Sequence, residues 1–437
     1  MTTRARSLPD SVNDAPPPWL TDGYRHIWMP YTQMETAPLP EAAVATKGAR
    51  ITLADGRELI DGVASWWSAC HGYNHPHIQD AVIKQAERMP HVMLAGLANE
   101  PAFTLAARLA ALAPAPLERV FFSESGSIAV EIAMKIAVQY WQGRGEARKS
   151  RFICFNGAYH GDSIAAMSVG DPEDGIMGRF QGLMEEQFRT PLPRDETALA
   201  AFQAFAAEHA AQSAAVILEP LVQGAGGMLF HDAETLTRVS ETCDEHGLLL
   251  ILDEIMTGLG RLGTMFACEQ AGVAPDLMTV SKSLTGGTMP LAATLASAKV
   301  FDGFLSPELD KALMHGPTFT GNALACAAAN ASLDLFESEP RLEQVKAIEQ
   351  HLAAALGPCR GMKGVWGEVR DVRVRGAIGV VEMAAIGDMN GLRARFVEAG
   401  CWIRPFGNIV YLMPAFTIEP QDLARLTDAV VSVIRED

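Results

Sequence analysis

The sequence predicts an α/β fold: a mostly parallel sheet flanked by helices, with a smaller α+β unit drawn from both ends of the chain. Three observations predict it. From about residue 75, helical stretches alternate with short apolar runs, the pattern of strand–helix–strand units. Those runs are apolar throughout, as strands covered on both faces are. The two ends of the chain carry further short β-rich runs, arranged as hairpins and meanders.

Residues 1–20 are polar and reach Pro16-Pro17-Pro18, so a disordered lead-in is expected there. Runs at 43–47, 50–53 and 58–60 read as strands, the last two joined at Asp55-Gly56 as a hairpin. Stretches 77–88, 103–112 and 128–140 read as helices, with a strand at 119–122. Strands follow at 151–155, 215–218, 248–252, 277–280 and 291–295, with helices at 196–212 and 233–246 between them. Two helices, 323–337 and 341–356, lead to strands at 369–374, 377–383, 401–403 and 409–413 and a last helix at 420–434. The expected division is lead-in 1–20, small unit 21–63, large unit 64–335, and the rest of the small unit 336–437. The adjacent Trp66 and Trp67 could be core; were they in one strand, one would face the core and the other outward.

The chain has 437 residues, more than one ordinary domain holds. Apolar residues make up 49% and charged residues 20%, enough for a large core. A net charge of −17 is poorly suited to a nucleic-acid backbone, so no such partner is expected. Any phosphate must be held locally. The seven cysteines form no CxxC pair, which points to neither disulfides nor zinc. No apolar run reaches the ~18 residues of a membrane span, and the first residues lack an apolar leader core. A cytoplasmic protein with reduced thiols and no membrane contact is the expectation.

The chemistry concentrates in residues 248–287. One apolar strand delivers Asp253 and the next delivers Lys282, both at carboxyl ends, where such sheets bind ligands. Alone, the pair reads either as a structural ion pair or as a catalytic carboxylate and amine. Ser125-Gly126-Ser127 joins a strand to a helix start. Free N–H groups there stabilise a phosphate, although an ordinary N-cap looks the same. Gly258 to Gly263 fit G-x-G-x-x-G, but the first glycine stands several residues past the strand and no acid follows at the required distance. His71, His75, His77 and His160 suggest a cluster, but His75-Pro76-His77 lacks the cysteine or carboxylate company of a usual site, so no metal is expected.

These segments resemble the class III aminotransferases, which are fold-type I pyridoxal-phosphate enzymes. Their D-E…G…R…D…S-K…G-G pattern runs from Asp253 to Gly287. Further blocks resemble the 7,8-diaminopelargonic acid aminotransferases of biotin synthesis: Ile27 to Thr32, Ser65 to Pro76, Tyr159 to Asp162, Met314 to Phe319, and Trp402 to Phe406. The similarity runs from Trp28 to Pro414.

The resemblance implies an aminotransferase using pyridoxal 5'-phosphate, built as a homodimer with its active site at the interface. It implies 8-amino-7-oxononanoate as acceptor and S-adenosylmethionine as donor. Lysine replaces that donor in related enzymes, and no residue decides between them. The runner-up is another class III aminotransferase acting on an ω-amino acid or diamine. Residue by residue, Lys282 is implied to hold the cofactor as a Schiff base, Asp253 to pair with its ring nitrogen, and Tyr159 to stack on the ring. Ser125, Gly126 and Ser127 are implied to bind the phosphate, with Thr318 reaching it across the interface, and Glu219 to lie near the ring hydroxyl. Tyr31, Trp66, Trp67, Arg261 and Gly316 are implied to line the substrate pocket. Arg404 is implied to take the substrate carboxylate, for which a planar guanidinium is apt. Two blocks depart from the pattern: Met29-Pro30-Tyr31 replaces His-Pro-Tyr, and Pro414-Ala415-Phe416 replaces Pro-Pro-Tyr.

Overall fold

Strands with no polar face must be covered on both sides, and those of this chain are. Ser213–Leu218, Leu249–Asp253, Leu277–Val280 and Ala292–Ser297 are buried along their whole length. In the computed structural model, which describes residues 15–172 and 177–436, they form the middle of a seven-stranded sheet. Its order is Leu117–Ser123, Ala292–Ser297, Leu277–Val280, Leu249–Asp253, Ser213–Leu218, Arg151–Phe155, Phe188–Thr190. Four of the neighbouring pairs are parallel, and Ala292–Ser297 alone runs against the rest. One core packs on each face of the sheet.

The helices start and stop for local reasons. Asp232 accepts the Thr235 N–H at 2.8 Å to open Ala233–His246, and left-handed Gly247 closes it. Asp195 opens Glu196–His209 in the same way, through Ala198 N–H. The helix Gly126–Gly143 buries nine side chains under the sheet.

The chain ends build two further sheets. Ala43–Lys47, Arg50–Leu53 and Glu58–Asp61 take Cys401–Trp402 as a fourth, parallel strand. Lys363–Gly364, Gly367–Arg375, Ile378–Met383 and Ile409–Leu412 form the other, under helices Arg341–Leu356 and Pro420–Ile434. The hairpin thus shares its sheet with a single short strand from the far end. Of the lead-in expected at 1–20, residues 1–14 lie outside the described residues, and Pro18 opens a short helix, Pro18–Tyr24.

Trp66 and Trp67 are not in a strand. Ala64, Ser65, Trp66 and Trp67 all have positive φ, from 43° to 74°, and make one left-handed turn. That conformation costs an L-residue roughly 1–2 kcal/mol, which strand periodicity gives no means of foreseeing. Among the described residues, no helix is long and apolar enough to cross a membrane.

Candidate active site

Parallel strands direct their carboxyl ends to one edge, and a cavity of about 140 Å³ opens there. Asp253 ends its strand and pairs in register with Thr279, so Ser281 and Lys282 emerge beside it. Glu219 follows Ser213–Leu218, and Tyr159 and His160 follow Arg151–Phe155. Gly126 and Ser127 start the helix after Leu117–Ser123. Gly126, Ser127, Tyr159, Glu219, Asp253, Lys282 and Trp67 all line this cavity.

Asp253 is buried, and its oxygens are assigned. Oδ1 accepts from Ile255 N–H at 3.1 Å and from the Thr279 hydroxyl at 3.3 Å. Oδ2 lies 2.7 Å from His160 Nδ1. Burial works against a charge on His160, but the hydrogen bond and charge of Asp253, with Glu219 behind, hold its pKa above the ordinary imidazole value. His160 Nε2 has no partner among the described residues. His160 carried no cofactor role in the sequence; its place one residue after Tyr159, at a strand end, is the signal for it.

Lys282 is half-buried, with Nζ 4.9 Å from the Trp67 ring centre. Burial lowers its pKa against the pull of Asp253, Glu219 and Asp162. An amine so placed is more readily neutral, and therefore nucleophilic, than a solvated lysine. Burial also raises Glu219 to about 7. Its carboxyl accepts from Tyr159 N–H at 3.1 Å and Gly224 N–H at 2.7 Å. Tyr159 and Tyr31 donate to the two oxygens of Asp162, at 2.9 and 2.5 Å, and Asp162 N–H donates to Ser127 Oγ at 3.1 Å. Gly161 is required where it stands: its φ is +126°, and a Cβ would sit 2.2 Å from Ser127 Oγ.

These residues fit pyridoxal phosphate. A helix start with no acidic residue in its first turn can hold the phosphate, a buried carboxylate can face the ring nitrogen, and the half-buried amine can reach the aldehyde. Ser125 is exposed at the helix N-cap and does not line the cavity. Gly316 and Thr318 are exposed and also lie outside its lining.

Arg404 is half-buried, its guanidinium 5.5 Å over the Trp66 ring, and it forms no ion pair among the described residues. Trp66 in turn meets Tyr31 edge-on at 6.4 Å. Arg261 has no such exposure. It is wholly buried outside the cavity lining, donates to the Pro414 and Ala377 carbonyls at 2.8 and 3.4 Å, and stacks 4.5 Å over Phe416. The turn at Gly260 brings it against the C-terminal segments that carry Ala377 and Pro414. Phe416 and Ala415, where the chain departs from the pattern, are buried there too. Gly258 to Gly263 form turns and open no long helix.

The aminotransferase class-III family model matches residues 31–434. An adenosylmethionine-8-amino-7-oxononanoate aminotransferase of Mycobacterium leprae (strain TN) is 43% identical over 93% of this chain and 94% of its own length. One from Corynebacterium glutamicum is 41% identical over 94% and 97%. The solved structure of the enzyme of that name from Methanocaldococcus jannaschii DSM 2661 superposes with a TM-score of 0.89 at 32% identity, covering 95% of this chain and 98% of the other. A PLP-bound amine transaminase from an uncultivated Pseudomonas species gives 0.86 at 30%, covering 93% and 98%.

Proposed function

This chain belongs to the class-III aminotransferases, which use pyridoxal phosphate, and from that premise we propose that it aminates 8-amino-7-oxononanoate to 7,8-diaminononanoate, on the way to biotin, with S-adenosylmethionine as donor. The observation that carries the substrate is the unpaired Arg404 guanidinium over Trp66, one residue from the Trp67 ring that lies against Lys282. An anchor for a carboxylate and a reactive amine are thus carried on consecutive tryptophans. The relatives named for the same reaction support it.

When bound, the cofactor supplies an electron sink for the carbon that gains or loses nitrogen. Asp253 would face the ring nitrogen, and His160, 2.7 Å from its Oδ2, keeps that carboxyl oriented. Lys282 Nζ, lowered in pKa by burial, would hold the cofactor and would be the group that moves the proton during transfer of nitrogen. Helix N–H groups and Ser127 hold the phosphate. Tyr159 would cover the ring face, and Tyr31 with Trp66 and Trp67 would wall the substrate. Arg404 binds the oxo acid's carboxylate. Gly316 and Thr318, exposed and outside the cavity lining, serve the site of a second copy, and the working unit is a homodimer. Seven free, buried cysteines agree with a cytoplasmic setting.

The test is product analysis with the pyridoxal-phosphate-loaded protein, 8-amino-7-oxononanoate and either S-adenosylmethionine or lysine. Diamine formed with S-adenosylmethionine supports the proposal in full. Diamine formed only with lysine corrects the donor. If neither donor reacts while β-alanine or putrescine does, the substrate assignment is wrong.

A further inference from the structure

Four consecutive non-glycine residues in the left-handed region persist only where their surroundings over-determine them. Here the turn is Ala64 to Trp67, closed by Trp67 N–H to the Val63 carbonyl at 2.8 Å and Ser68 N–H to that of Ala64 at 2.9 Å. One buried carboxylate holds its entrance. Asp61 Oδ1 accepts the Val63 N–H at 2.8 Å, and Oδ2 accepts the Ser65 N–H at 2.9 Å and the Tyr73 hydroxyl at 2.5 Å. That hydroxyl also lies 2.5 Å from Ser65 Oγ. The exit is tied to the residue after Lys282: the Ser283 hydroxyl donates to the Trp67 carbonyl at 3.2 Å.

The same aspartate is in register with Trp402, two residues before Arg404, and Gly62 N–H donates to the Trp402 carbonyl at 3.0 Å. Trp66 and Arg404 are therefore both referenced to one strand pairing, while Trp67 is referenced to Lys282. We propose that Asp61 is a positioning residue for substrate specificity. Its carboxylate clamps the left-handed turn and so sets the span between the Arg404–Trp66 anchor and the Lys282 amine, which selects the length of the carboxylate substrate. Tyr73 steadies the clamp. The inference rests on the reading that Arg404 takes the substrate carboxylate.

The experiment compares the cofactor-loaded enzyme with Asp61→Asn, whose amide nitrogen cannot accept a hydrogen bond, and with Asp61→Asn/Ala64→Gly. In Asp61→Asn, KM for the oxo acid rises about tenfold, the scale of one lost charged hydrogen bond. The kcat stays within about threefold, because Ser283 still pins Trp67 and only remote positioning is lost. Adding Ala64→Gly brings KM back at least about threefold, because glycine occupies positive φ without a clamp. Without substrate, the near-ultraviolet circular dichroism of the adjacent indoles changes in Asp61→Asn and returns in the double variant. If Asp61→Asn does not fold, Tyr73→Phe, which keeps the carboxylate, is expected to shift KM and the indole signal in the same direction by less.

An unchanged KM and indole signal overturns the proposal. So does a loss that Ala64→Gly leaves untouched, since the aspartate would then serve the fold and not the turn. Wild-type enzyme inactive on the oxo acid refutes the substrate reading instead, and the substrate-free indole comparison still decides whether the clamp holds the turn.

Discussion

Glu254 stands next to Asp253 but points away from the cavity, and it makes the fold's stability depend on pH. Its buried carboxyl accepts from the Thr257 hydroxyl at 2.6 Å and Cys268 N–H at 2.9 Å. Burial outweighs these bonds and raises its pKa from an ordinary 4.5 to about 7. The folded state therefore holds this proton more tightly than the unfolded chain. Stability from that source is full below pH 4.5 and is lost as pH rises through 7, a total of about 3 kcal/mol. Glu254→Gln is neutral at every pH, keeps an acceptor for Cys268 N–H, and can donate to the Thr257 oxygen. Urea unfolding at fixed protein and cofactor concentration, from pH 5 to 8.5, measures the difference between variant and wild type. That subtraction cancels Glu219, which shifts in the same direction. The variant should gain about 2–3 kcal/mol on wild type across the range. A difference that stays flat with pH, or grows toward acid, would refute the reasoning.

Lys282→Ala should abolish turnover by several orders of magnitude and remove the visible absorbance that borohydride fixes in the wild-type protein. His160→Ala, which strips Asp253 Oδ2 of its partner, should weaken cofactor binding by roughly ten- to a hundredfold in apoenzyme titrations. His160→Asn, with a donor near the Nδ1 position, should recover much of that. Arg404→Ala should raise KM for the oxo acid by roughly thirtyfold, about 2 kcal/mol, with KM for the donor nearly unchanged. Equal effects on both substrates would count against a dedicated carboxylate anchor.

Hydrophobic patterning determined most of the architecture from sequence alone, because a strand buried on both faces leaves a short continuous apolar run between polar or turn-forming segments. The helices 233–246, 341–356 and 420–434 were legible to the residue, since amphipathic spacing and an Asp or Pro at the start mark them locally. So were the residues that a parallel sheet must place at its carboxyl edge: Asp253, Lys282, Glu219 and Ser127. What only the tertiary structure decided depends on contacts between distant segments. The left-handed turn at Trp66 and Trp67 exists because Asp61, Tyr73 and Ser283 converge on it, which no two-residue periodicity encodes. Arg261 is held by Pro414, Ala377 and Phe416, over a hundred positions away, contacts that its motif does not reveal. His160, 93 positions before Asp253, became its partner only when the sheet brought the carboxyl ends of their two strands, one strand apart, to the same edge. Sequence sets which side chains each strand end delivers, whereas the packing of separate segments decides which of them meet.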